Sequence, residues 1–329
     1  MGSYDNDNRR YPKSAALIAA LILAPLAVAA VVIGWIGYAP PSPVVKTSDE
    51  PADPGRVLYS LKDTVKTGLA DPVAIAIGPD DALYVAGDDR IVVFDRGTDE
   101  PRATFSLAPL YQPITALAVD VDGQMVLGFR DHVELMAPDG ASRESFYGLG
   151  ARAYITSVSV RGNRVWVADA GNRQIVRYDK RGQVEAVVGG KPAAGESPVF
   201  VIPSPYMDVV ATDDGGVWVA NTGRHRLELY GPDKQLVRHW GTFGAGSERF
   251  CGCCNPSEFA ILPDGRFVTA EKGIPRVKIY SAHGEFEGFV ALPKDLPEAA
   301  VGLDLATDSN GQVYVLEPES GSVRVYARK

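Results

Sequence analysis

The chain contains two hydrophobic patterns, one continuous and one alternating. From Ala15 to Tyr38 no residue is charged, and a helix of that length spans roughly the 30 Å hydrocarbon core of a membrane. From about residue 56 onward, short apolar runs alternate with turns rich in Asp, Asn and Gly, and helical spacing is absent. We therefore predict one transmembrane helix over residues 15–38, followed by an all-β body.

The charges that flank the apolar segment predict its orientation. Basic residues precede it and acidic residues follow it, so the positive-inside rule places residues 1–14 in the cytoplasm and the body on the extracytoplasmic, periplasmic side. Trp35 and Tyr38 are typical of an interfacial anchor at the far end. We expect a single-pass protein of the cytoplasmic (inner) membrane, held by residues 15–38. The basic residues are Arg9, Arg10 and Lys13.

A cleaved signal peptide is the alternative to an uncleaved signal-anchor, with Ala27-Val28-Ala29 as the cleavage site. Signal-peptide cores run about 7–15 residues, which is shorter than this segment, and the length favours the anchor. In both cases the body is exported. Residues 39–55 are rich in Pro and acidic residues and lack periodicity, so they are predicted to form an extended linker.

The body repeats one pattern six times: an alternating apolar strand, a polar turn, a second strand that begins with an aromatic or branched residue, and a third strand. The second strands recur every 40 to 52 residues, a period that indicates a β-propeller. The last unit stops at Tyr326, and residues 56–65 can supply its missing outer strand, which would remove an exposed sheet edge. We predict a six-bladed propeller over residues 56–329. The repeated positions are Tyr84, Val126, Trp166, Trp218, Phe267 and Tyr314.

Two stretches resemble NHL repeats, namely WVADAGNRQIVRYDKRGQV over 166–184 and the segment 240–286. The usual NHL unit has a Gly-rich lead-in, Phe, Pro, an alternating strand, D-x-G, and then V-A-D-x-x-N-x-R-I. The similarity covers most of residues 68–328, but Gly87 and Phe129 replace the Asp that ends the second strand in units one and two. The resemblance to six-bladed, TolB-like NHL propellers implies the fold. It leaves function open, because such propellers bind proteins, RNA or small molecules and some are enzymes.

Charge and motifs exclude several function classes. The net charge is −8 and the body has no basic run, which argues against a nucleic-acid partner and leaves a protein or small-molecule partner. Motifs for a nucleophile elbow, a zinc protease, a P-loop and covalent haem are all missing. A peptidyl-hydroxyglycine lyase of similar fold holds a metal through channel histidines. The histidines here fall at unrelated repeat positions outside the first strands: His132, His225, His239 and His283.

Polar residues occupy two repeat positions, at the end of the second strand and at the start of the third. They would form a polar ring at the propeller mouth that binds a ligand, or each acid and its basic partner would brace the same hairpin. Repeated residues usually serve the repeated scaffold, which favours the brace. The first set is Asp169, Asn221, Glu271 and Glu317, and the second is Gln174, Arg226 and Arg276. The candidates for a ligand-binding face are His225, Arg226, Glu271, Lys272 and Arg276.

All three cysteines lie in one CGCC motif, inserted between Phe250 and Asn255 where the NHL pattern passes almost directly from Phe to Pro. Thiolates packed this closely suit Cu(I), Zn(II) or redox chemistry. The alternative is a structural disulfide in an oxidising compartment, although three cysteines cannot all pair. Because antiparallel strands place this connection and the hairpins after the second strands on one face, the motif is expected to share a rim with His225, Glu271 and Lys272. The metal or redox candidates are Cys251, Cys253 and Cys254.

These patterns together predict a membrane-anchored, extracytoplasmic NHL-type propeller that acts as a binding or scaffold module. The CGCC loop would bind a soft metal or perform thiol chemistry on its working face. The alternative is a propeller enzyme, a lyase or lactonase with a metal in the central channel. The sequence favours the binding module over the enzyme.

Overall fold

The computed structural model describes residues 56–87, 89–107, 112–297 and 302–329. In these ranges the chain forms six four-stranded antiparallel sheets, which confirms the predicted all-β, six-bladed propeller. The predicted cytoplasmic segment, transmembrane helix and linker, over 1–14, 15–38 and 39–55, lie outside the described residues. Among the residues that are described, no helix has the length and apolar character needed to cross a membrane.

The strands follow one another in chain order, and each blade is built from consecutive strands except the sixth. Blade one contains β2 (Pro72–Ile77), β3 (Leu83–Gly87), β4 (Arg90–Phe94) and β5 (Pro101–Ser106). Blade two contains β6 (Ile114–Val119), β7 (Met125–Phe129), β8 (Val133–Met136) and β9 (Arg143–Ser145). Blade three contains β10 (Ile155–Arg161), β11 (Arg164–Asp169), β12 (Gln174–Asp179) and β13 (Val184–Gly189).

Blade four contains β14 (Val209–Ala211), β15 (Val217–Asn221), β16 (Arg226–Tyr230) and β17 (Leu236–Trp240). Blade five contains β18 (Glu258–Ile261), β19 (Phe267–Glu271), β20 (Arg276–Tyr280) and β21 (Phe286–Ala291). Blade six contains β22 (Asp304–Thr307), β23 (Val313–Glu317), β24 (Ser322–Arg328) and the N-terminal β1 (Tyr59–Lys66). Short 3-10 turns occur at Pro79–Asp81, Thr222–Arg224, Pro293–Asp295 and Pro318–Ser320.

The core of the propeller lies between blades. In the second strands of blades one, two, four, five and six every side chain is buried, because these strands have a neighbouring blade on each face. The hydrophobic clusters of the described residues each join two adjacent blades, and the sequence of clusters runs around the whole ring. Most outer strands are partly exposed, and β13 alternates between buried and exposed positions over part of its length.

The N-terminal strand closes the ring, as the sequence predicts. β1 pairs with β24 in antiparallel register from Tyr59 opposite Arg328 to Lys66 opposite Ser322. Val65 is buried between this pair and blade one. The pairing satisfies backbone groups that would otherwise form an open sheet edge.

The antiparallel blades give the propeller two different faces. One, the connection face, carries the connections between blades and the hairpins between second and third strands. The other, the turn face, carries the hairpins between first and second and between third and fourth strands. The described chain begins at Arg56 on the turn face, where Leu58 N donates to the carbonyl of Phe289 at 2.9 Å.

Candidate functional site

The CGCC motif lies on the connection face, in the long connection from β17 to β18. Asn255, which is buried, fixes the end of this loop to the hairpin after β19. Its side-chain oxygen accepts from Lys272 N at 2.9 Å, and its amide nitrogen donates to the carbonyls of Lys272, at 3.0 Å, and Cys251. The cysteine loop and the Lys272 hairpin are therefore held together by one side chain.

A buried charged cluster holds the chain that leads into the cysteine loop. Lys278 Nζ donates to the carbonyls of Ser247 at 3.2 Å and Arg249 at 2.8 Å. It also pairs with Glu271, which binds Arg276 Nε at 2.8 Å. Burial lowers the pKa of Lys278 to about 8. Glu271 and Arg276, both candidates for a ligand face, are thus buried beneath the loop and serve its support.

Two of the three cysteines form a dithiol. Cys253 is exposed and Cys254 is buried, and their sulfur atoms are 3.2 Å apart without a disulfide bond. Ser204, from the connection between blades three and four, donates its hydroxyl to Cys254 Sγ at 2.6 Å. Lys272 Nζ donates to Ser204 Oγ at 3.2 Å and lies 4.1 Å from the ring centre of Tyr206. A row of hydrogen bonds therefore runs from the ammonium group of Lys272 through the Ser204 hydroxyl to the two thiols.

The environment keeps a proton on the dithiol at neutral pH. The hydrogen bond to Cys254 and burial raise the pKa of Cys253, while the positive charge of Lys272 acts in the opposite direction. A metal ion that takes the Cys253 sulfur as a thiolate must displace this proton. In the part of the chain that the structure describes, no group of three or more His, Cys, Asp or Glu side chains is placed to hold a metal ion.

The imidazole of His225 contacts the backbone of the cysteine loop. Its Nε2 lies 2.6 Å from the carbonyl oxygen of Gly252, and its ring packs edge-on against Phe243 with centroids 4.8 Å apart. Burial lowers the pKa of His225, so the imidazole is neutral at pH 7 and supplies no positive charge to the thiols. Arg226, another ligand-face candidate, forms an ion pair with the buried Glu228 at 2.6 Å.

The central channel is a cavity of about 620 Å³ lined by the first strands of all six blades. Tyr206 lines the cavity and contacts Lys272, which joins the two sites. Three channel carboxyl groups that our sequence analysis missed occupy one repeat position in blades four to six: Asp208, Glu258 and Asp304. Each of them is a charged residue within an otherwise apolar first strand, and this pattern in the sequence could have identified them.

Two of these carboxyl groups link neighbouring blades. Asp208 accepts from the backbone N–H of Phe259 in the next blade at 2.8 Å and from Ser157 Oγ in the preceding blade at 2.6 Å. Asp304 accepts from Ile75 N of blade one at 2.7 Å. Such bonds between adjacent first strands indicate a role in the scaffold.

The channel carboxyl groups resist ionisation. Burial raises the pKa of Asp304 to about 7 and raises that of Asp208. The pKa of Glu258 is well above its usual value because of burial and, after it, the charges of Asp208 and Asp304. Glu258 and Asp208 are hydrogen-bonded to each other, which requires that one of them carry a proton. Among the described channel-lining residues none is a histidine.

Comparison with known proteins shows the fold and leaves the family open. A comparison with models of protein families gives no match, and neither does a search for relatives among curated proteins. Solved structures do match. A streptogramin B lyase aligns with a TM-score of 0.56 and 10% identity over 83% of this chain and 99% of its own.

Two further solved structures show the same likeness. The WD40 propeller domain of Doa1 aligns with a TM-score of 0.57 and 13% identity, over 82% of this chain and 97% of its own. A catalytically inactive histidine-to-alanine variant of virginiamycin B lyase from Staphylococcus aureus, with quinupristin, aligns with a TM-score of 0.54 and 11% identity, over 80% and 82%. At these identities the chain is similar to a lyase and to a WD40 domain in fold alone, and the NHL pattern stays a resemblance.

Proposed function

We propose that this chain is a membrane-anchored, extracytoplasmic propeller that serves as a binding module, and that its dithiol binds a soft metal ion, Cu(I). One observation carries the metal proposal. Cys253 and Cys254 place two sulfurs 3.2 Å apart, free of a disulfide bond and backed by the Ser204 hydroxyl. Soft thiolate ligands favour Cu(I), zinc and iron–sulfur clusters over hard metal ions.

The number of ligands favours Cu(I) over Zn(II). Zinc sites in proteins are almost always four-coordinate, with sulfur, nitrogen or carboxylate ligands. Here the groups around the two sulfurs are a hydroxyl, an ammonium and an aromatic ring, from Ser204, Lys272 and Tyr206. Cu(I) is stable with two thiolates, and the negative charge of such a complex would be offset by Lys272.

Copper titration of the full-length chain, reduced beforehand, tests the proposal. In competition with a colorimetric Cu(I) chelator we expect one Cu(I) per chain. Cys253→Ser and Cys254→Ser should each abolish uptake, whereas Cys251→Ser is the matched control and should retain it. Circular dichroism would verify that the variants fold. Absence of Cu(I) uptake after reduction, or uptake that survives both substitutions, would contradict the proposal.

The pH dependence follows from the thiol protons. Because the pKa of Cys253 is raised, Cu(I) must displace a proton at neutral pH, and affinity should increase by up to about tenfold per pH unit for each displaced proton. Lys272→Gln removes the charge that opposes this pKa shift, so it should weaken Cu(I) binding at pH 7. The same titration at several pH values measures both effects, and a pH-independent affinity would point to other ligands.

A propeller enzyme is the second candidate, and the channel favours it. Glu258 presents a carboxyl group with a raised pKa to a cavity of about 620 Å³, and the fold is similar to that of lyases. A lyase or lactonase would require a metal in the channel. Metal analysis of the Cys253→Ser, Cys254→Ser double variant separates the two, since retained calcium or zinc, lost on Glu258→Gln, would favour the enzyme.

A further inference from the structure

Four cations form a continuous arc on the connection face of blades two and three: Arg130, Arg152, Arg173 and Lys191. All four are exposed. The chain as a whole has a net charge of −8, so the arc is a local concentration of positive charge on an acidic protein. We refer to these residues as the basic arc.

Backbone contacts show that the members of the basic arc are neighbours. Ile155 N donates to the carbonyl of Arg130 at 2.9 Å, three residues after Arg152. A Cβ at Gly171 would lie 2.0 Å from the carbonyl oxygen of Arg152, so glycine is required there for the two segments to approach. Gly190 N donates to the carbonyl of Arg173 at 2.9 Å and places Lys191 beside it.

None of the four residues of the basic arc forms an ion pair with another described residue. Two carboxylates lie near. Asp131 is bound by His132 Nδ1 at 2.8 Å and Gln112 Nε2 at 3.1 Å. Asp169 is buried and accepts from Tyr154 N at 3.0 Å and from the side chain of Asn172.

Exposed aromatic groups accompany the cations. Tyr147 is 81% exposed and Tyr154 is 39% exposed, and both lie in the connection between blades two and three, beside Arg152. Tyr and Arg are enriched at protein interfaces because they combine apolar contact with hydrogen bonding. Arg173 has a left-handed backbone with φ 55°, as His225 does with φ 57° at the corresponding position of blade four.

We propose that the basic arc docks an acidic segment of a partner polypeptide. Charge complementarity identifies the partner, and Tyr147 and Tyr154 supply the apolar contact that such a segment requires. A nucleic acid is disfavoured because a duplex needs a longer basic surface, and the turn face carries many acidic turn residues such as Asp213 and Asp264. The inference is independent of the metal proposal, although Lys191 begins the same connection that ends in Ser204 and Tyr206.

Binding of a fluorescein-labelled polyglutamate peptide to the full-length chain tests the inference by anisotropy at low salt. The arc variant reverses all four charges to Glu. The matched control reverses Lys62, Lys234, Arg328 and Lys329, which are exposed residues away from the connection face, and so has the same net charge. We expect the arc variant to bind at least about tenfold more weakly and the control to lose far less.

Salt dependence and two further binding measurements test the same inference. Binding should also weaken as salt is added, because exposed charges are screened. Failure of polyglutamate to bind at low salt, or equal losses in the two variants, would overturn the proposal. Tighter binding of a labelled oligonucleotide would overturn it in favour of nucleic acid. Cu(I) uptake should be unchanged in the arc variant, which keeps failure of this inference distinct from failure of the metal proposal.

Discussion

At the scale of single residues, one repeat position links neighbouring blades in some units and supplies an ionisable channel group in another. Position 157 is a serine that accepts from Val209 N at 3.2 Å, and Asp208 and Asp304 make the corresponding bond to the blades that follow them. Glu258 is one methylene longer and turns to Asp208 instead. A scaffold position thereby places a proton-sharing carboxyl pair in a channel.

This arrangement predicts that Glu258→Gln stabilises the protein at alkaline pH. The folded state raises the pKa of Glu258, so wild-type stability is complete below the unfolded pKa and is lost as pH increases through the folded pKa. Glutamine can donate the same hydrogen bond without ionising. We expect a melting temperature about 2–4 °C higher at pH 8, the shift that 1 kcal/mol produces in a domain of this size.

The difference should become small near pH 4, where Glu258 is mostly protonated even in the unfolded state. The exposed Glu319 provides the control, since Glu319→Gln should leave the melting temperature unchanged at both pH values. Thermal denaturation followed by circular dichroism measures all three proteins. A destabilised Glu258→Gln variant at pH 8 would show that the carboxylate form is the one the channel requires.

At the scale of elements, the six blades are similar sheets that differ chiefly in their connections. The connections 190–208 and 241–257 are the longest, and they carry Ser204 and the cysteines to the same point. The blades provide a rigid frame, and the chemistry sits where two insertions meet. Function on loops held by a rigid scaffold is the common arrangement in proteins.

The closing strand gives a testable prediction at this scale. Removal of residues 56–65 would expose the unpaired edge of β24 and uncover Val323 and Val325, so we expect aggregation. Removal of residues 1–45 leaves every described contact in place and should give a soluble monomer. Size-exclusion chromatography with light scattering distinguishes these results. A stable monomer that lacks 56–65 would mean that the ring closes without β1.

Much of the fold could be predicted because the same strand-and-turn pattern occurs six times. A unit that departs from the pattern is still recognised from its neighbours. The first strand of blade four begins at Val209, and the carbonyl of Met207 before it accepts from the Thr156 hydroxyl at 2.6 Å. The first strand of blade six begins at Asp304.

The candidate site was only partly predictable, because its members come from distant segments. The motif and its spacing identify the cysteines and Lys272, but Ser204 lies 50 residues from Cys254 in the chain. The sequence pattern also leaves open whether Glu271 and Arg276 face a ligand or the interior. The answer depends on Lys278, which is fully buried and draws Glu271 inward.

At the scale of the whole molecule, the two faces carry different groups. The turn face carries the acidic turns and the start of the described chain at Arg56. The connection face carries the dithiol, the channel mouth next to Tyr206, and the basic arc. The dithiol and the basic arc therefore lie on the face opposite to Arg56, where the described residues begin.

The anchor remains a prediction of the sequence, and a reporter fused after Lys329 tests it. The charge step around residues 15–38 should make the reporter active only outside the cytoplasm. The propeller should be accessible to protease in intact spheroplasts, because it would lie on their outer side. Substitution of Arg9, Arg10 and Lys13 by Glu should reduce correct insertion. Full protection of the propeller from protease would show that it faces the cytoplasm.

The closing strand has a mechanical consequence. β1 begins on the turn face and runs to the connection face, with its ladder to β24 extending from Tyr59 to Lys66. A pulling force between Arg56 and a partner held on the connection face acts along this strand. The interstrand hydrogen bonds then bear the force together, in shear, and cannot be peeled apart one at a time. The strand that seals the ring is thus oriented as the fastening that resists a pull on the propeller.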